Sequence, residues 1–174
     1  MAEGPYGPLI ETRLRLVTWN VWGRFGPWQR RQPGIAAVLA DCRPDVVTFQ
    51  EAWSAPDRDQ AAEVAAAVGL PYHHYAYDRD DEDGASSGTS VLSRWPITAT
   101  EVRPLLRART RNGSVLRADL AGPRGPLRVF SVGLDWPPHY SHVRQEQVRE
   151  LVAYAWPVMS AVIAAAQARP ASES

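Results

Sequence analysis

Apolar positions recur along this chain with two different periods, and the change between them falls near residue 72. Residues 13–21 alternate Leu14, Leu16 and aromatic side chains with polar ones and run into Trp22-Gly23, which predicts a strand ending in a turn. Residues 35–41 are apolar at helical spacing, with Pro33 and Gly34 at the start and Pro44 after the end. Residues 45–50 form a short β-branched run, the pattern of a buried strand. Residues 57–68 are Ala-rich and helical, stopped by Gly69 and Pro71. This β-α-β-α opening implies neighbouring parallel strands joined by right-handed connections. Short strands then follow at 72–77, 89–93, 97–103, 115–120 and 127–132, separated by turn residues, the spacing of antiparallel hairpins. Residues 141–155 read as an amphipathic helix with Val143, Val148, Leu151 and Val152 on one side. The outline is α+β with strands in the majority, as a single domain over 13–168 between a flexible lead-in, 1–12, and a tail, 169–174.

Composition narrows this outline. A chain of 174 residues, 45% apolar, suits one domain, and such a domain buries roughly 70% of the surface its unfolded chain exposes. The 19 cations, all Arg, match 19 anions, which argues against a general basic coat for nucleic acid. Seven Trp and six Tyr argue against disorder. The single cysteine, Cys42, excludes an internal disulfide framework and a multi-Cys zinc site. Residues 1–8 carry no readable signal peptide, and a cytoplasmic location is the default expectation. Residues 151–168 lack charge and reach the length at which a membrane span is considered. They are Ala-rich and contain Pro157, Ser160 and Gln167, so the expectation is a buried helix broken at Pro157 and followed by a strand or helix, with no stable membrane association.

Two polar residues end strongly apolar strands: Asn20 in Val17-Thr-Trp-Asn-Val-Trp-Gly23, and Glu51 in Val46-Val-Thr-Phe-Gln-Glu51. If the strands are parallel neighbours, both lie at the edge where parallel α/β sheets bind ligands. A carboxylate and an amide oxygen there suit Mg²⁺, which accepts one or two carboxylates and completes its shell with water and substrate phosphate. By spacing alone, the alternative is that Glu51 caps a turn and Asn20 satisfies backbone groups. His73, His74, His139 and His142 read as ordinary surface or half-buried histidines, with His73 and His74 on opposite faces of a strand. Arg103, Arg107, Arg109, Arg111 and Arg117 read as the solvated face of a hairpin, with a phosphate-facing strip as the alternative. The stretch 78–84 reads as a polar, acidic loop, and its residues 80–83, which lack the spacing of a calcium loop, as solvated.

Taken in order, Thr18-Trp-Asn-Val, Phe49-Gln-Glu51, Gly88-Thr-Ser-Val-Leu-Ser-Arg94-Trp-Pro-Ile97, then Arg128-Val-Phe-Ser-Val-Gly-Leu-Asp-Trp136 with Arg144-Gln-Glu-Gln147, resemble the endonuclease/exonuclease/phosphatase superfamily. The resemblance implies the N-terminal part of a four-layer α/β/β/α sandwich, a mixed sheet with helices on its outer face and an incomplete second sheet. It implies a metal-dependent hydrolase of phosphoester bonds with a single Mg²⁺ (or Mn²⁺) site, Glu51 as metal ligand, and Asn20 orienting phosphate and the metal shell. Gly133 stands where the family places a histidine, and neither a Gly-Asp-Phe-Asn sequence nor an Asp-His pair occurs. The expectation is therefore a truncated enzyme of impaired or no activity, or else a non-catalytic remnant serving as a binding or interaction module. Its substrate would be a phosphoester of unspecified class. A sheet short of partners exposes an apolar face and an open edge, which favours self-association. The melting temperature should accordingly rise with protein concentration in differential scanning fluorimetry; a sharp transition independent of concentration would contradict this.

Overall fold

The computed structural model describes residues 13–81, 84–106 and 113–167, so the lead-in, the tail, Arg107, Arg109, Arg111 and part of the acidic stretch lie outside the described residues. The elements run β1 (Leu16–Asn20), α1 (Trp28–Cys42), β2 (Val46–Ala55), β3 (Arg58–Asp59), α2 (Gln60–Val68), β4 (Tyr72–Asp80), β5 (Ser86–Ser93), β6 (Ile97–Pro104), β7 (Ser114–Gly122), β8 (Gly125–Gly133) and α3 (Ser141–Gln167). One sheet has the order β1-β2-β5-β4, with β3 on the end of β2, and the second has the order β6-β7-β8. β1 and β2 are parallel, from Leu16 opposite Val46 to Asn20 opposite Gln50, as the β-α-β reading requires.

Alternation sorts the side chains into layers. Val47, Phe49 and Leu92 turn toward α1 and α2 and pack with Ile35, Leu39, Ala61 and Val64. Val46 and Val91 turn the other way and meet Leu116, Ala118 and Val129 from the second sheet. On that sheet's outer side Phe130 meets Tyr154 of α3 edge-on, centroids 5.9 Å apart. These are the four layers α/β/β/α, and the mixed α+β class stands. Asp45 clamps the entry to the first sheet: its carboxylate accepts from the Arg15 N–H at 2.9 Å and pairs with Arg94 at 3.0 Å. β1 is an edge strand, with Leu14 and Leu16 exposed.

Helix boundaries and faces depart from the sequence pattern for identifiable reasons. α1 starts at Trp28, one turn and more before Pro33, because the Pro27 carbonyl accepts from the Arg30 and Arg31 N–H groups and sets the first turn. α2 starts at Gln60 because Asp59 caps it, its carboxylate accepting from Ala62 N–H at 2.9 Å. α3 does not break at Pro157 but continues to Gln167. Good helix formers on both sides outweigh the lost backbone bond. Nor is it buried there, since Val152 and Trp156 are exposed. Its inner face is Val143 and the fully buried Gln147, with Val148 exposed: a satisfied polar residue holds the centre that hydrophobicity alone assigns to a valine. Among the described residues no helix is long and apolar enough to cross a membrane.

The outer face of the second sheet carries a charge network. Arg117 pairs with Glu101 at 2.6 Å, and Arg128 grips Asp119 at 2.5 and 2.9 Å. Arg103 stacks on Tyr154 at 5.0 Å. Arg103 and Arg117 are thus engaged beneath α3. The hydrogen bond from Arg128 holds the Asp119 carboxyl below its ordinary pKa, burial opposing. A depressed carboxylate stabilises the fold above its unfolded value, about 3.9, and the contribution disappears as pH falls through the lower folded value. Asp119→Asn should lower the melting temperature at pH 7 by about 3 °C, and the gap from the wild type should close as pH falls below about 4, read by circular dichroism melts across pH.

Candidate active-site cleft

Two β-bulges shape one end of the first sheet. On β2 the register shifts between Phe49, opposite Ser90, and Ala52, opposite Gly88, so Gln50 and Glu51 share the single partner Thr89. On β4 it shifts between Tyr77, opposite Gly88, and Arg79, opposite Ser87, so Asp78 is the extra residue. A bulge redirects side chains that the pleat would alternate. Here the two bulges flank the same stretch of β5 and aim Glu51 from one side and Asp78 with Arg79 from the other into one cleft of about 300 Å³. Gly88 between them is obligatory, because a Cβ there would stand 2.0 Å from the Ala76 carbonyl oxygen.

Glu51 holds a left-handed backbone, φ +54°, a conformation that costs a residue with a Cβ about 1–2 kcal/mol. The loop after β1 holds it there: Val21 N–H donates to Gln50 O at 3.0 Å and Gly23 N–H to Glu51 O at 2.8 Å. Asn20 Nδ2 donates to Glu51 Oε1 at 3.0 Å, while Asn20 Oδ1 accepts from Trp22 N–H at 2.9 Å. The second bond fixes the amide orientation, so the NH₂ faces the carboxylate. Arg31 closes the loop from α1, its guanidinium donating to the carbonyls of Val21, Gly23 and Phe25.

The second sheet supplies the opposite wall. Ser131 donates to Phe49 O at 3.1 Å, and Gln50 Nε2 donates to Ser131 Oγ at 3.3 Å, joining the sheets beneath the cleft. Gly133 lines it, and a Cβ there would meet only Thr89 Cγ2 at 3.6 Å, an ordinary contact. Trp136 stands at the rim, 68% exposed. The Arg-x-x-Gln pair holds this wall. Gln147 accepts from Asp135 N–H at 3.0 Å and donates to Leu106 O at 2.8 Å; Arg144 donates to the Asp135 and Pro137 carbonyls.

The structure thus brings Asn20 and Glu51 together at neighbouring strand ends. Asp78, Arg79, Gln50 and Thr89 join them; Asp78 and Arg79 belong to β4 and not to the polar, acidic loop that the sequence pattern suggests. None of the four histidines lines the cleft. His73 and His74 lie on β4, and His139 meets Tyr140 edge-on, centroids 4.4 Å apart, beside α3. The cleft's oxygen donors, at most two carboxylates with amides and hydroxyls, match a hard divalent cation such as Mg²⁺ rather than zinc. Among the described residues no group of three or more His, Cys, Asp or Glu is arranged so that it could hold a metal ion by itself. Thr89 Oγ1 is buried at the cleft without a protein partner, a polar position that solvent or a ligand oxygen would satisfy.

A four-layer sandwich with an acid-lined cleft at its strand ends defines the class, and comparison with known proteins gives the family. The sequence profile described as the Endonuclease/Exonuclease/phosphatase family matches residues 17–160, and this chain belongs to that family. The solved endonuclease/exonuclease/phosphatase from Beutenbergia cavernae superposes with a TM-score of 0.68 at 27% identity, over 80% of this chain and 43% of that one. A Drosophila melanogaster protein named "Putative neutral sphingomyelinase" is 32% identical over 123 residues, 67% of this chain. A Caenorhabditis elegans protein of the same name is 34% identical over 95 residues, 51% of this chain. The chain spans 26% and 21% of those two proteins' lengths.

The strain at Glu51 is directly measurable. In an ordinary strand glycine is about 0.5–1 kcal/mol less stable than alanine. At position 51 the order should reverse, Glu51→Gly exceeding Glu51→Ala by about 1 kcal/mol in urea denaturation.

Proposed function

We propose that this chain carries the metal- and phosphate-binding part of a phosphoester hydrolase that uses Mg²⁺ or Mn²⁺. The observation that carries this reading is Glu51 in the cleft, its strained backbone held by the loop after β1 and its carboxylate accepting from Asn20 Nδ2. Strain of this kind persists where surrounding structure over-determines it, and it clusters at functional sites. Glu51 would hold the cation, with Asp78 as the second carboxylate within the same cleft. When bound, such an ion polarises a phosphoryl oxygen and stabilises the leaving oxygen.

The residues of the chain divide the remaining work. Asn20 positions Glu51 through its NH₂ and spends one oxygen lone pair on Trp22 N–H. Gln50 and Ser131 fix the floor, and Trp136 offers an apolar wall to whatever the phosphate carries. The substrate we favour is a phospholipid headgroup phosphodiester of the sphingomyelin kind, supported by the two named relatives and by that exposed aromatic wall.

A second reading, binding of metal and phosphate without turnover, is favoured by Gly133, which offers no side chain for proton transfer. Loss of a positioned acid–base group slows a reaction by about 10²–10⁴-fold. The uncovered Leu14 and Leu16 would make self-association part of that reading.

The test is Mg²⁺ titration by calorimetry together with hydrolysis of bis(p-nitrophenyl) phosphate and of sphingomyelin in detergent micelles. Glu51→Gln should abolish Mg²⁺ binding and reduce any turnover by about 10²-fold or more. Metal binding or turnover unaffected by this substitution or by chelator rejects the first reading. Metal and phosphate binding without turnover selects the second.

A further inference from the structure

We propose that Arg79 is the phosphate anchor of this cleft, the residue that receives the non-bridging phosphoryl oxygens on the side away from Glu51. This assignment rests on the phosphoester reading above and adds to it a second binding group. Arg79 is the only cationic residue lining the cleft among the described residues. It stands directly after the extra residue of the β4 bulge, in register with Ser87. The bulge brings it to the wall opposite Glu51, across β5; two strand spacings separate β2 from β4, about 10 Å. An ion bound at Glu51 and a guanidinium reaching in from β4 would flank one phosphoryl group from both sides.

Charge makes such a group necessary. Glu51 and Asp78 are both carboxylates in a part-enclosed cleft, and a phosphodiester anion entering between them meets like charge. A cation at Glu51 offsets that on one side only. Gly133, on the facing sheet, contributes no side chain to the phosphoryl position. Thr89, on β5 opposite the β2 bulge, lines the cleft between the two strands and carries a buried Oγ1 without a protein partner. Arginine suits this place better than lysine, since its planar fork matches two phosphoryl oxygens at once. Asp81, just past the end of β4, pairs with Arg79 at 3.6 Å and restrains the guanidinium.

The experiment titrates inorganic phosphate into the ¹⁵N-labelled chain with Mg²⁺ present, following the arginine Nε–Hε resonances, and repeats the titration calorimetrically on Arg79→Gln and Arg79→Lys. The expected result is a phosphate-dependent shift of the Arg79 resonance. Phosphate affinity should fall about tenfold in Arg79→Gln and recover in part in Arg79→Lys, with Mg²⁺ affinity within twofold of the wild type. Phosphate binding that is equal in wild type and Arg79→Gln, with the Arg79 resonance unmoved, overturns the anchor while leaving Glu51's role intact. If the wild type binds neither Mg²⁺ nor phosphate, the phosphoester reading fails and the anchor with it. Should Arg79→Gln not fold, the wild-type resonance and Arg79→Lys decide: an unmoved resonance or undiminished affinity in Arg79→Lys overturns the proposal.

Discussion

The bond between the loop after β1 and the bulge of β2 is the constraint on which the cleft depends. Without the extra residue of the bulge, period-two alternation would place Glu51 on the helix face with Phe49. The bulge alone would leave a left-handed glutamate free to relax. The carbonyls of Gln50 and Glu51 are held by N–H groups of Val21 and Gly23, and Arg31 holds the other side of that loop. Each backbone bond contributes about 1 kcal/mol net, so the pair matches the left-handed cost. A carboxylate is thereby pre-positioned, and little ordering remains for ligand binding to supply.

The same logic operates on two further sides. Gly88 lets β4 approach β5 closely enough for the second bulge to project Asp78 and Arg79. Gly113, at φ +134°, admits Gln147 to a place where a Cβ would lie 2.4 Å from its side-chain nitrogen. Gln147 then fixes the Asp135 backbone, and with it the wall that carries Trp136. The cleft is therefore assembled from backbone irregularities, each stabilised by a polar contact on a rigid element. Aromatic and cationic side chains pack the outside of the first loop, where Arg24 stacks on Trp28 at 4.9 Å and Arg58 on Trp53 at 5.4 Å.

Periodicity made the regular parts legible. The parallel pairing of β1 with β2, the hairpin strands and both helical stops at residues 43–44 and Gly69 follow from alternation and turn residues. Asn20 and Glu51 were found as polar ends of apolar strands. Asp78 and Arg79 were not, because a run of acids reads as solvated surface, and the bulge that makes it part of β4 arises from pairing with a strand ten residues on. The face of α3 was misassigned for a related reason. Gln147 is fully buried because partners distant in sequence, Leu106 and Asp135, satisfy it, and hydropathy registers none of them.

The residues that carry the family likeness do two different kinds of work. Arg94 in the Gly88–Ile97 stretch pairs with Asp45 and ties the ends of β2 and β5. Arg144 and Gln147 clamp the chain that leaves β8. These residues build walls; they touch no reacting group. Among the motif residues, Asn20, Gln50 and Glu51 line the cleft from the parallel pair β1–β2, and Thr89 lines it from β5. Agreement across the whole set therefore establishes the fold more firmly than the chemistry. In the proposed function the chemistry depends on how the cleft balances its charges, the Glu51 and Asp78 carboxylates against the Asp81-paired Arg79 and an incoming cation. That balance is set by the two bulges, and in a neutral chain with 19 charges of each sign it is local placement, not net charge, that would draw a phosphate in.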